Sequence, residues 1–345
     1  MKKHLKGLCL LGITVVITTS GMTVSAGSLS AVTEESTEIQ VTENDAAVGT
    51  EKDTETETAT TEMKEDPADD NVVIQSKDKP YLALGADLTA DQQRVVLDAM
   101  GIRPEDLSNY DVSYVTNAEE HQYLDAYISS AQIGTKSWSS VVIEKKDKGN
   151  GINISTKNIN YCTIGMYKNA LVTAGIADAD IIVAGPKPIS GTAALVGIFK
   201  AYSDITGGTL TENNVDTALN ELVLTGQLES TTGASPDEVE GLVAYLKQQV
   251  AEGALTDENS ISDAIDDGCD KFDVTLTDEE KSNLIDLMLK IKDLNLNADD
   301  LMSQAQSIYD KISDLGINTS TGSGIGKFFS GIFDSIKDFF TDIFS

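Results

Sequence analysis

The chain of 345 residues carries 56 acidic side chains against 25 basic ones, a formal net charge of −31. Such a surface repels the phosphate backbone, which excludes DNA and RNA as partners, and attracts cations and basic partners instead. Three cysteines and two histidines are too few for a disulfide scaffold or for a zinc site built on several histidines.

The first stretch, MKKHLKGLCLLGITVVITTSGMTVSA, has the grammar of an export signal. Lys2, Lys3 and Lys6 form a positive n-region, Leu8 to Ile17 a short apolar h-region, and Val24-Ser25-Ala26 a small-residue cleavage site. Residues 1–26 are therefore expected to be removed, leaving an exported chain from Gly27 that is three charges more acidic. Cys9 lies outside any lipobox pattern, and no later stretch is long and apolar enough to span a bilayer. Cys162 and Cys269 remain, and we read them as two buried thiols rather than one disulfide. Residues 27–79 hold 15 acidic and 4 basic residues and no aromatic. Such a segment cannot bury enough apolar surface to offset its ordering entropy, so it reads as a disordered acidic linker.

From Tyr81 the composition changes. LTADQQRVVLDAMGI has helical spacing, a capping box from Thr89 to Gln92, and a stop at Gly101. TNAEEHQYLDAYI repeats that grammar with Thr116 and Glu119. SWSSVVIEKKDKGNGINISTKNI reads as two strand runs joined by Lys148-Gly149-Asn150-Gly151, a hairpin signal. TIGMYKNALVTAGI reads as a helix, ADIIVAGP as a short apolar strand, and SGTAALVGIFKAYSDITG as a helix ended by Gly207-Gly208. This predicts an α+β domain over 80–208. The next hundred residues show 3.6-residue periodicity without a convincing strand, with good helix starts at Ser235-Pro236 and Thr277–Glu280. They predict an all-helical region over 209–317. NTSTGSG then reads as a flexible tether (318–325) before a separate amphipathic helix at 326–345. The fold class is α+β: a mixed α/β domain, then a helical region, then the detached helix.

Several stretches together resemble one family. LGADLTADQQRVVLDAMGI, IGTKSWSSVVIEKK, NINYCTIGMYKNALVTAGI, ADIIVAGPKPISGTAALVGIFKAY and LTDEEKSNLIDLMLKIKDLNLN are similar to the YpuA-like secreted proteins of Gram-positive bacteria, domain of unknown function 1002. The resemblance spans about residues 81–316. It implies an address, the extracellular face of a Gram-positive cell envelope, and an architecture. It implies no activity, because the family brings no established catalytic or binding residues.

Candidate chemistry is sparse. After removal of the signal the sole histidine is His121, on a helix beside Glu119, Glu120 and Asp125, where a solvated histidine needs no role. Cys162 sits at a helix start, where a thiol can be activated, so Cys162 with His121 is the one candidate for a thiol hydrolase, against the reading of Cys162 as core. The only Ser-x-x-Lys, Ser76 to Lys79, lies in the linker, and GSGIGK (322–327) lacks the spacing of a phosphate loop. GPKPISG (185–191) leads from strand to helix and is the most pocket-like place. Lys187, Gly191 and Thr192 are candidate ligand contacts there, against the reading of a rigid turn. Trp138, with Tyr161, Tyr167 and Tyr202, can line a glycan or peptide groove or equally fill a core. Asp266, Asp267, Asp270 and Asp273 do not follow the EF-hand order, so no metal or other cofactor is assigned.

The closing segment, KFFSGIFDSIKDFFTDIFS, holds six of the eight Phe residues. At 100° per residue, Phe328, Phe329, Ile332, Phe333, Ile336, Phe339, Phe340, Ile343 and Phe344 fall on one face. Burying them offers more than ~10 kcal/mol gross, at ~1.5–3 kcal/mol each. Lipid, a partner protein or the chain's own core can cover that face. The polar side is weakly anionic, so lipid binding would rest on apolar burial. The sequence thus reads as a secreted, envelope-associated binding or structural module, with the thiol hydrolase and a glycan- or peptide-binding module as alternatives.

Overall fold

In the computed structural model the residues described are 72–74, 79–207 and 210–314, all within one compact unit. The expected export signal (1–26), the tether (318–325), the closing helix (326–345) and the linker (27–79), apart from 72–74 and 79, lie outside them. Val72 and Ile74 pack against an apolar cluster of the fold.

The first half runs β1 (Tyr81–Gly85), α1 (Ala90–Ala99), a 3₁₀ turn (Pro104–Asn109), β2 (Asp111–Val115), α2 (Asn117–Leu124), α3 (Ser130–Ile133), β3 (Ser140–Lys145), β4 (Ile152–Ile159), α4 (Ile164–Thr173), β5 (Ala179–Ile189) and α5 (Thr192–Thr206). Five helices follow: α6 (Glu212–Thr231), α7 (Pro236–Ala251), α8 (Glu258–Phe272), α9 (Asp278–Asp293) and α10 (Ala298–Asp314). Side-chain chemistry sets the helix starts. Thr89, Thr116, Ser235 and Thr277 each accept a bond from the amide three residues on, and Gln92, Glu119, Glu238 and Glu280 close the reciprocal bond.

The sheet is mixed, in the order β2-β1-β3-β5-β4. β1 pairs parallel with β2, β4 pairs parallel with β5, and β3 lies antiparallel between β1 and β5. Four strands therefore point one way and β3 alone opposes them. The expected β3–β4 hairpin does not form, because β5 inserts between its two arms. β5 holds the run Ile181-Ile182-Val183-Ala184, buried on both faces, and such a strand gains most from a partner on each side. The loop that resembles a hairpin turn is fixed by the incoming strand instead. Asp178 Oδ1 accepts from the amides of Gly149 (2.8 Å) and Gly151 (2.9 Å).

Alternation along the strands builds two cores. Ala83, Val141, Ile143, Ile154, Ile181 and Val183 share a cluster with α4 and α5. Leu82, Leu84, Val142, Ile182 and Ala184 share another with Val96, Leu97 and Met100 at α1. A third cluster fills the helical region from α7 to α10. Helix α6 serves two of them: Ala218, Leu219, Leu222 and Val223 join the sheet core, and Leu224 and Leu228 the helical one. A buried polar network completes the junction. Lys247 on α7 pairs with Glu221 on α6 at 3.0 Å, and both side chains are fully buried. The architecture is α+β, a mixed sheet with its helices followed by a helical region.

Candidate functional site

In open sheets flanked by helices, ligands bind outside the carboxyl ends of the parallel strands. Here β1, β2, β4 and β5 share that end. Facing it are the start of α2, the segment leading into β3, and the start of α5. Together they leave a cleft of about 340 Å³ whose walls include Glu120, Ile133, Trp138, Ser139, Ile189 and Ser190.

Glu120 is the unusual group. It lies on α2, a helix whose buried residues are Glu120 and Leu124, so the acid stands on the apolar stripe. It is 2% exposed. Thr192 Oγ1 donates to its Oε1 at 3.2 Å; Ser137 and Asn117 lie near the carboxyl, but Oε2 makes no hydrogen bond of ordinary geometry. Burial pushes its carboxyl up to about 7, against weaker pulls from Thr192, Ser137, Asn117 and His121. Around neutrality this group is therefore poised between acid and carboxylate.

The walls are held by a second set of bonds. Asp87, just past β1, accepts from the Ser137 amide at 2.8 Å through Oδ2 and pairs with Lys136 at 3.5 Å. Its backbone carbonyl accepts from Trp138 Nε1 at 3.3 Å. Lys187 Nζ stands 4.8 Å from the centre of the Trp138 ring, a cation–π contact. Ser139 Oγ accepts from the Ala194 amide at 2.9 Å and fixes the first turn of α5. Gly85 and Gly191 make these approaches possible. A Cβ on Gly85 would lie 2.5 Å from the Ser137 carbonyl oxygen. Gly191 has φ +92°, and a Cβ there would lie 2.6 Å from Tyr167 Oη.

Of the residues singled out from the sequence, Trp138 lines the cleft; Lys187 lies against its ring, Thr192 bonds to Glu120, and Gly191 caps the start of α5. The tyrosines lie elsewhere. Tyr167 and Tyr202 are buried and Tyr161 is half-buried, all in or against the sheet core. The sequence reasoning missed Glu120, Asp87 and Ser139. Nothing in the sequence separates Glu120 from the chain's other acids; its burial is what marks it.

Cys162 and His121 are both committed elsewhere. Cys162 is buried in the sheet core, and burial raises its thiol far above the ordinary range. His121 Nε2 faces the Gly134 carbonyl at 3.1 Å and Nδ1 faces Asp125 Oδ1 at 2.8 Å. Both partners are acceptors, which favours the protonated ring. The bond to Asp125 accordingly raises the imidazole pKa and lowers that of Asp125. An imidazolium has no lone pair to serve as a general base. Cys162 and Cys269 are free thiols. Asp266 and Asp267 are paired with Lys281 and Lys271.

Among the described residues no helix is long and apolar enough to cross a membrane. The family model described as "Protein of unknown function (DUF1002)" matches residues 84–308. The "Uncharacterized protein YpuA" of Bacillus subtilis (strain 168) is 36% identical over 264 residues, covering 75% of this chain and 89% of that one. No solved structure matches the chain. With the match running from the end of β1 into α10, the chain belongs to the DUF1002 family.

Proposed function

We propose that the protein is an exported, envelope-associated binding module without a catalytic role, and that its ligand site is the cleft over Glu120. The observation that carries this reading is the buried Glu120 carboxyl with an unpartnered oxygen, in a cleft at the carboxyl ends of the parallel strands. A buried acceptor without a partner is costly, and a ligand that donates to it relieves that cost. Trp138 supplies an aromatic wall, and Thr135 and Ser190 supply hydroxyls. This combination fits a hydroxyl-rich ring such as one sugar unit of a glycan, and the cleft has the size of a small-ligand site. Export rests on the pattern of residues 1–26, and attachment to a membrane surface or a partner on the apolar face of residues 328–344.

Trp138 is the chain's only tryptophan, so its emission reports on this cleft alone. Titration with a panel of hexoses and N-acetylhexosamines is expected to give a saturable emission change with at least one of them, lost in Glu120→Gln. If none shifts the emission of the folded protein, the glycan reading fails.

A further inference from the structure

A second cavity, of about 480 Å³, lies at the other side of the sheet region, between the 148–151 loop, α4 and α10. The hydrogen bonds that lead to it run in one direction. Lys247 Nζ donates to the Asn169 backbone carbonyl at 2.6 Å. Asn169 Nδ2 donates to the Glu240 carbonyl at 3.4 Å, which turns Asn169 Oδ1 toward α10. Gln304 Nε2 donates to that oxygen at 2.7 Å. The orientation of the Gln304 amide is thereby fixed, and what remains is its acceptor. Gln304 lines the cavity, is 6% exposed, and its Oε1 has no partner.

The charged groups that line the cavity are three carboxylates and two ammonium groups, one more negative than positive. Asp178, Asp299 and Asp300 line the cavity with Lys148 and Lys168. Lys168 is turned to α10 through Ser307 Oγ at 3.3 Å. Burial raises the Asp300 carboxyl; Lys148 opposes that, and Asp178 and Asp299 add to it. Val172, Ile152 and Ala177 provide apolar wall. A hard metal ion is a poor fit, since among the described residues no three His, Cys, Asp or Glu side chains gather to hold one. An anion meets three carboxylates. A cation with N–H donors and an alkyl body satisfies the acceptor, the charge and the wall together.

We propose that this cavity is a binding site for a primary alkylammonium ion, which donates to Gln304 Oε1, sets its charge near Asp300 and lays its carbon chain against Val172 and Ile152. The site is independent of the cleft over Glu120. Because its walls come from β4, α4 and α10, an occupant ties the sheet to the last described helix and stabilises the folded state by mass action.

The test uses the full exported chain and n-butylammonium chloride at constant ionic strength, with tetramethylammonium as a cation of similar bulk that has no N–H. The readouts are the melting temperature and the Gln304 side-chain amide signals in a ¹H–¹⁵N spectrum. n-Butylammonium is expected to raise the melting temperature saturably and to shift the Gln304 signals, and tetramethylammonium to do neither. Asp300→Asn, at a half-buried position, is expected to weaken the apparent Kd by about tenfold or more, the scale of one charge-assisted hydrogen bond. Glu120→Gln is expected to leave it unchanged. Equal effects of the two cations, an unmoved Gln304 signal, full binding by a folded Asp300→Asn variant, or loss of binding in Glu120→Gln would each overturn the assignment.

Discussion

The Lys247 ammonium lies 3.0 Å from the Glu221 carboxylate, and neither side chain touches solvent. Thr173 donates to the other oxygen of Glu221, and the Asn169 carbonyl accepts from Lys247. One buried pair therefore joins α4, α6 and α7. Taking one partner away leaves a charge in the core with nothing to balance it. Lys247→Met is expected to cost about 3–5 kcal/mol in urea unfolding, and Lys247→Met with Glu221→Leu to recover most of that. A single variant as stable as the parent would show that the pair is not dry.

Glu120 gives a pH dependence with a definite sign. Its carboxyl rises from 4.5 to about 7 on folding, so over that window the folded protein holds a proton that the unfolded chain has released. The stability from this group is complete below the window and is lost as pH rises through it. Glu120→Gln removes the loss. At pH 8 the variant is expected to gain on the parent relative to pH 5, by up to about 3 kcal/mol at ~1.4 kcal/mol per pH unit. Parallel stability curves for the two proteins between pH 5 and pH 8 would show that the carboxyl is solvated.

Gly191 begins α5 at φ +92°, where a side chain is strained and meets Tyr167 and Ile159. Gly191→Ala is expected to destabilise by about 1–3 kcal/mol. It should also perturb Trp138 emission, because Thr192 and Ser190 border the cleft on either side of it.

The two thiols differ in reach. Burial pushes Cys269 up to about 11 and Cys162 higher still. In the folded protein an aromatic disulfide reagent is expected to modify Cys269 slowly and Cys162 only after unfolding. Rapid native modification of Cys162 would revive a nucleophilic role for it.

The closing segment is tested by flotation with anionic liposomes. The chain from 27 to 345 is expected to float and a version ending at Ser323 to remain below. If neither floats, lipid is not the cover of the apolar face of 328–344, and a lower melting temperature in the shorter protein would assign that face to the protein's own core.

Helix starts were legible because a cap is a local matter. The Thr89–Gln92, Thr116–Glu119 and Thr277–Glu280 spacings each specify their bonds within four residues, and each forms as read. The sheet was less legible because pairing is not local. β1 is a short run buried on both faces, and β2 is a five-residue edge strand whose alternating Val112 and Tyr114 stay exposed, so neither announces itself. Lys148-Gly149-Asn150-Gly151 has turn chemistry, but turn chemistry does not say which strand will stand beside β3. Trp138 and Thr192 could be suspected from residue type and loop position. Glu120 could not be separated from the chain's many other acids until burial marked it out.

The insertion of β5 between β3 and β4 also sets an order of events. While the chain emerges, β4 has no neighbour to pair with, and β3 can meet only β1, whose Tyr81 sits opposite Ile143. The sheet becomes continuous only once Ala179–Ile189 has appeared and threaded into the gap. Closure across such sequence separations is slow compared with helix formation. The caps of α1 and α2, and that of α4, where Thr163 accepts from the Met166 amide, can therefore form during emergence, while the nascent chain stays unlocked until its fifth strand arrives.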